Sequence, residues 1–386
     1  MSIDQFCDEL KGCYADLFGD GPYVLHRPIF SGNEKKYLNR CIDSNFVSSA
    51  SSLSTEFENA IASYTGVQFA VSTVNATTGL HAALVALGVE ANDLVVTQAL
   101  TFAATANAIR HSGAEPIFID VDKDTLGLSP ISLLDYLQSN TYQVDGVCIE
   151  KSSKKKIAAC IPMHTFGNFC RIRELAEICR QFNVPLLEDA AEALGSKLNG
   201  HSIGQNSRAA ILSFNGNKII TTGGGGMVLT NNSDYCLRLR HLVTTAKVHH
   251  PFEFIHDELG YNYRMPGLNA ALGLAQLEKI DRILAAKEIL YDSIASICDS
   301  YGVELVTSIA GSKSNNWLIS FLTQGRKQRD YVLSRLHALE IFARPIWRPL
   351  NRLPYLSNYT SCGLSNTDYL YDRVISLPSS AAEQLV

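Results

Sequence analysis

Between residues 55 and 230 the chain alternates helical patterns with short apolar runs, and no other feature limits its fold as strongly. The helical stretches cover 56–64, 78–87 and 103–111, and the apolar runs cover 69–72, 94–97 and 116–120. Short strands separated by helix-length crossovers pair as βαβ units, so the pattern predicts an α/β fold with a mostly parallel sheet covered by helices. After Asn262-Tyr263-Arg264-Met265-Pro266 the pattern changes to one long helix-forming run over 268–286, continued over 287–301, followed by mixed strands such as 317–323. The expected division is a large domain over 15–258 and a smaller C-terminal α/β domain over 259–386, with residues 1–14 packed on the latter.

A chain of 386 residues that is 46% hydrophobic and 18% charged can bury a large core. Its net charge of −5, with Lys154-Lys155-Lys156 as the one basic run, speaks against nucleic acid or an anionic membrane as partner. No apolar run approaches the roughly 20 residues a bilayer span requires, and Met1-Ser2-Ile3-Asp4-Gln5 does not open a secretory signal. A cytoplasmic protein is expected. The ten cysteines form no C-x-x-C pair, so they read as reduced, mostly buried thiols. His249 and His250 lack a histidine four residues away, and no metal site is expected.

Lys218 sits in Ser213-Phe214-Asn215-Gly216-Asn217-Lys218-Ile219-Ile220, directly before the turn Thr221-Thr222-Gly223-Gly224-Gly225-Gly226. Upstream, Val184 to Glu192 reads as a short apolar strand that delivers Asp189 at its C-terminal end, the ligand edge of a parallel sheet. A lysine and an aspartate so placed point to pyridoxal 5'-phosphate. That cofactor demands an amine for its aldehyde, a carboxylate for its pyridine nitrogen and donors for its phosphate. Lys218 would hold the aldehyde as a Schiff base and move protons; Asp189 would pair with the pyridinium. For the phosphate, Asn75-Ala76-Thr77-Thr78-Gly79 reads as a strand end turning into a helix, whose N-terminus attracts anions. Thr77 and Thr78 serve equally well as plain N-caps. Ser213 offers a further phosphate contact, and Phe102 either stacks on the pyridine ring or belongs to the core.

With these residues in place, the chain resembles the DegT/DnrJ/StrS family of sugar aminotransferases, enzymes of the aspartate-aminotransferase fold (fold type I). The resemblance runs from Asn45-Phe46-Val47-Ser48-Ser49 to Arg344-Pro345-Ile346-Trp347. It is carried by Asn75 to Thr78, Thr101-Phe102, Pro162 to Gly167, Glu188-Asp189-Ala190-Ala191-Glu192, Ser213 to Lys218 and Gly260 to Met265. It implies that Lys218 is the Schiff-base lysine, Asp189 the pyridine partner, Phe102 the stacking ring, and Thr77, Thr78 and Ser213 phosphate ligands. Asn262 matches a residue that reaches the neighbouring subunit's phosphate, which implies a homodimer with shared active sites. Glu192 stands near the cofactor's O3′ where many relatives carry glutamine, and the tetraglycine replaces Gly-Glu-Gly-Gly. Dehydratase relatives carry histidine at the lysine position, so Lys218 implies amino transfer.

The segment Thr97 to Phe102, the tetraglycine and Arg344-Pro345-Ile346-Trp347 look most similar to the branch acting on UDP-linked 4-keto-6-deoxy-N-acetylhexosamines. The implied reaction moves an amino group from L-glutamate to C4 of the nucleotide-linked keto sugar, with His164, Arg344 and Trp347 as substrate contacts. The alternatives are GDP-perosamine synthesis, a thymidine-linked keto sugar, or a non-enzymatic relative that has kept the fold.

Overall fold

The protein is described by a computed structural model covering residues 3–386. Seven strands build the central sheet: β1 (Phe69–Thr73), β2 (Leu94–Gln98), β3 (Glu115–Ile119), β4 (Ile157–Ile161), β5 (Leu187–Asp189), β6 (Ala209–Ser213) and β7 (Gly226–Thr230). Their spatial order is β3-β2-β4-β5-β6-β7-β1, with the short strand Ser361–Cys362 added beyond β3. Bridges from Cys160 to Leu186 and from Met163 to Asp189 join β4 to β5 and make one continuous sheet. Every neighbour pair is parallel except those of β7, which runs against both β6 and β1. The expected mostly parallel sheet is therefore present. β2 and β4 are buried along their whole length, as strands covered by helices on both faces must be, and their near-continuous apolar sequences reflect it.

Among the helices around the sheet edge and the second core are α1 (Ile3–Phe18), α2 (Ser52–Thr65), α3 (Ala76–Ala86), α4 (Ala103–His111), α5 (Gly267–Leu277) and α6 (Ile280–Tyr301). Ser51 caps α2 through its hydroxyl, and Gly66 closes it at φ 73°. The helix-forming run over 268–301 is divided into α5 and α6. The break falls at Lys279, whose φ of −117° is not helical. There the side chain turns inward to Glu34 at 2.6 Å and to the Ile29 carbonyl at 2.9 Å. A buried ion pair has overridden local propensity.

The expected domain division at 258/259 does not coincide with the division of the cores. α5 packs on α2 in the main core, so closely that a Cβ on Gly273 would lie 2.5 Å from the Phe57 ring. The second core forms where Phe6, Leu10 and Tyr14 of α1 meet Leu290 and Ile294 of α6, together with Phe321 and Leu336. The N-terminal element of that core extends to Phe18, past residue 14. All ten cysteines are free thiols, eight of them buried. Among the described residues, no helix is long and apolar enough to cross a membrane. His241, Asp257 and Glu258 cluster at the surface, where Arg238 already pairs with Glu258.

Candidate active site

The carboxyl ends of β1, β2, β4, β5 and β6 lie on one edge of the sheet, and each hands over to a loop that carries a residue singled out above. This edge is where open α/β sheets bind ligands.

At the end of β1, Asn75 caps α3: its side-chain oxygen accepts from the Thr78 N–H at 2.9 Å. The cap is thus neither Thr77 nor Thr78. Both threonines occupy the first turn, half-buried, with the Thr78 hydroxyl turned to the Asn75 carbonyl at 2.9 Å. The glycine turn has a steric reason to be glycine. β7 starts against this helix N-terminus, and a Cβ on Gly226 would come within 2.4 Å of the Asn75 backbone. Ser213 ends β6 opposite Gly226, half-buried at the same edge.

Asp189 ends β5 and is 3% exposed. Its oxygens accept from the Thr105 hydroxyl at 2.6 Å and the Ala191 N–H at 3.2 Å. Burial pushes its pKa up, against these two donors and the nearby charge of Lys218. A buried carboxyl held by neutral donors is ready to take a cationic N–H, which fits the pyridinium of the expected cofactor.

The Lys218 ammonium lies 3.3 Å from Glu192 Oε1 and 3.8 Å from the centre of the Trp317 ring. Glu192 also accepts from the Phe166 N–H at 2.9 Å, and burial raises its pKa to about 7 although Lys218 opposes the shift. Phe166 provides that N–H from a left-handed backbone, φ 58°, of the kind that structures retain at ligand sites. Trp317 is fixed on three sides. Its indole N–H donates to Asn217 O at 2.7 Å, and its backbone N–H donates to Asn315 Oδ1 at 2.9 Å. Lys287 reaches its carbonyl at 3.4 Å. Asn315 in turn donates to Glu192 O at 2.7 Å, tying the segment that carries Trp317 to the lysine's carboxylate partner.

Phe102 is 55% exposed, so it is a cleft residue and not part of the core. Its ring lies 6.3 Å from Trp347, which lies 5.0 Å from Phe166. These three aromatics form a row that ends at Phe166, the residue bonded to Glu192. Arg344 is exposed on the two-residue strand Arg344–Pro345, and Asn262 is exposed on the segment bridged to Thr244. His164 is not brought to the cleft. It is fully buried, with Nε2 at 2.9 Å from Glu188 and Nδ1 accepting from the Cys170 N–H at 3.3 Å. Both ring nitrogens are thereby used within the fold. Sequence reading missed Thr105, Asn315 and Trp317; the one signal available was that Trp317 is one of two tryptophans in the chain.

Comparison with known proteins identifies the family of the chain. Residues 28–384 match the DegT/DnrJ/EryC1/StrS aminotransferase family. The chain is 34% identical over 363 residues to the GDP-perosamine synthase of Vibrio cholerae, covering 92% of this chain and 93% of that one. It is also 34% identical over 339 residues to the GDP-perosamine synthase of Escherichia coli O157:H7, 86% of each. The structure of DesI in the presence of its TDP-sugar product superposes with a TM-score of 0.81 at 26% identity, over 95% of this chain and 91% of that one. Helicobacter pylori PseC, an aminotransferase of pseudoaminic acid biosynthesis, shares the fold with a TM-score of 0.82 at 22% identity, over 92% and 93%. The chain belongs to the DegT/DnrJ/EryC1/StrS aminotransferase family and is a pyridoxal-phosphate-dependent sugar aminotransferase.

Proposed function

We propose that the protein transfers an amino group from L-glutamate to C4 of a nucleotide-linked 4-keto-6-deoxy sugar, working as a homodimer with shared active sites. The observation that carries this reading is the Lys218 amine, held between Glu192 and Trp317 at the sheet edge that Asp189 also reaches. Pyridoxal phosphate, when bound, supplies the carbonyl that takes up the amino group and the conjugated ring that spreads the resulting charge. Lys218 holds that group and moves a proton at the reacting carbon. Asp189 accepts the N–H of the ring nitrogen, and the first turn of α3, with Thr77, Thr78 and Ser213, receives the phosphate. Glu192, with its pKa near 7, exchanges a proton with the Lys218 amine. Phe102, Phe166 and Trp347 shield the amine from water. Asn262 enters a partner's site and Arg344 meets the nucleotide diphosphate in this reading, and the exposure of both side chains supports it.

For the nucleotide, GDP is the first reading, supported by three relatives named GDP-perosamine synthase at 33 to 34% identity. The UDP-linked 2-acetamido-4-keto-2,6-dideoxyhexose is the second, supported by the segments Thr97 to Phe102, Gly223 to Gly226 and Arg344 to Trp347. Incubating the holoenzyme and L-glutamate with GDP-4-keto-6-deoxymannose or with the UDP sugar, and quantifying the amino sugar formed, decides between them. Turnover of neither sinks the substrate assignment. Sedimentation at micromolar concentration tests the dimer.

A further inference from the structure

Among the described residues, His26 is the one side chain with two buried polar atoms that both lack a hydrogen-bond partner. Both of its ring nitrogens are buried, and neither is hydrogen-bonded among the described residues. Leaving such groups unpaired is costly, and where it persists in a folded protein a ligand or water is the usual explanation.

The backbone on either side of His26 is fixed. The Leu25 carbonyl accepts from the Ser379 N–H at 2.8 Å, and the Arg27 N–H donates to the Ser380 hydroxyl at 2.9 Å. Ser379 O also receives the ammonium of fully buried Lys287, which reaches on to the carbonyl of Trp317, the residue whose ring covers Lys218. This chain of contacts links the backbone beside His26 to the residue whose ring covers Lys218, and the charges of Lys287 and Lys218 both bear on the His26 ring. Burial, followed by those two charges, holds its pKa well below the usual histidine range. The ring is therefore neutral, with one N–H and one lone pair. A sugar carries several hydroxyls, each able to donate or accept, so it can answer either side of such a ring; a carboxylate only accepts and cannot answer the lone pair.

We propose that His26 is a substrate-binding residue whose imidazole hydrogen-bonds a hydroxyl of the amino-accepting sugar ring. This rests on the keto-sugar reading above. No other role in the reaction is assigned to it.

The test uses full-length holoenzyme, with His26→Phe to remove both nitrogens and His26→Asn to keep a donor and an acceptor. Two quantities are measured: calorimetric affinity for the aminated nucleotide-sugar product beside the bare nucleoside diphosphate, and the glutamate half-reaction followed by Schiff-base absorbance. His26→Phe is expected to raise the product Kd about tenfold, equivalent to about 1.4 kcal/mol. Affinity for the nucleoside diphosphate and the KM for glutamate should stay within about twofold, and His26→Asn should recover part of the loss. Product affinity unchanged in His26→Phe overturns the proposal, because the nitrogens are then answered by buried water. A KM for glutamate that rises while product affinity holds overturns it in favour of the donor carboxylate. If wild-type protein binds neither nucleotide sugar, the function proposed above falls and takes this inference with it; normal wild-type binding confines any failure to His26. A normal Schiff-base spectrum in the variants shows that the site has folded.

Discussion

The ammonium of Lys218 rests 3.8 Å from the centre of the Trp317 ring, and that ring is held by a residue one position before the lysine, through Asn217 O. The aromatic face and the loop that carries the amine are thus a single unit, although 99 positions separate the two side chains in sequence (317 − 218).

Replacing Trp317 therefore disturbs the placement of Lys218. A lysine over an indole face contributes about 0.5–2 kcal/mol, so Trp317→Leu should lower kcat about 3- to 30-fold. Trp317→Phe, which keeps a face but not the bond to Asn217, should fall between. Steady-state kinetics on the three proteins checks the order, and Leu equal to wild type would refute the contact's role.

Lys218→Ala should abolish turnover, by at least about 1,000-fold, and leave the cofactor bound without its Schiff-base absorbance. The absorbance spectrum after gel filtration reads the covalent link directly. Persistence of near-normal turnover would remove the lysine from its assigned role.

Asp189→Asn keeps the shape and the Thr105 contact but loses the charge that a protonated ring nitrogen needs. Turnover should drop about 100-fold with cofactor still bound. Single-turnover mixing with L-glutamate is the measurement, and an unchanged rate would mean that the carboxylate serves packing alone.

Glu192 gives a prediction about stability and pH. Its pKa in the fold is about 7, against 4.5 ordinarily, so between these values the folded protein holds a proton that the unfolded chain has released. The stability that this group contributes is present below about pH 4.5 and is lost as pH rises through 7. Cofactor-free Glu192→Gln, which stays neutral, should melt about 2 to 4 °C above wild type at pH 8, with the gap closing towards pH 5. Calorimetric melting at both pH values checks it; a gap that ignores pH would contradict the buried-acid account.

How far the site was legible in the sequence depends on where its parts lie in the chain. β1 to β3 could be read to within about a residue because their buried runs are flanked by helices of clear period. Lys218 and Asp189 stood out because each lies at or just beyond the end of an apolar run. His164 lies just beyond one too, but its side chain points inward to Glu188. Side chains alternate between faces in extended backbone, so position along a strand end does not reveal direction. Trp317, Asn315 and His26 come from segments outside the alternating region. Local pattern holds no information about which distant segment will close over the lysine. The break at Lys279 was hidden for a related reason, since its partner Glu34 lies far upstream.

The second core also sets an order of events during synthesis. Phe6, Leu10 and Tyr14 of α1 are made long before the α6 residues that bury them, which begin at Leu290. At 5–20 residues per second, they wait for their α6 partners for on the order of 10 to 60 s. The seven central strands can pair within this interval, because the last of them, β7, has emerged at Thr230. The nascent chain thus carries an apolar helix face open to chaperone capture until α6 is made.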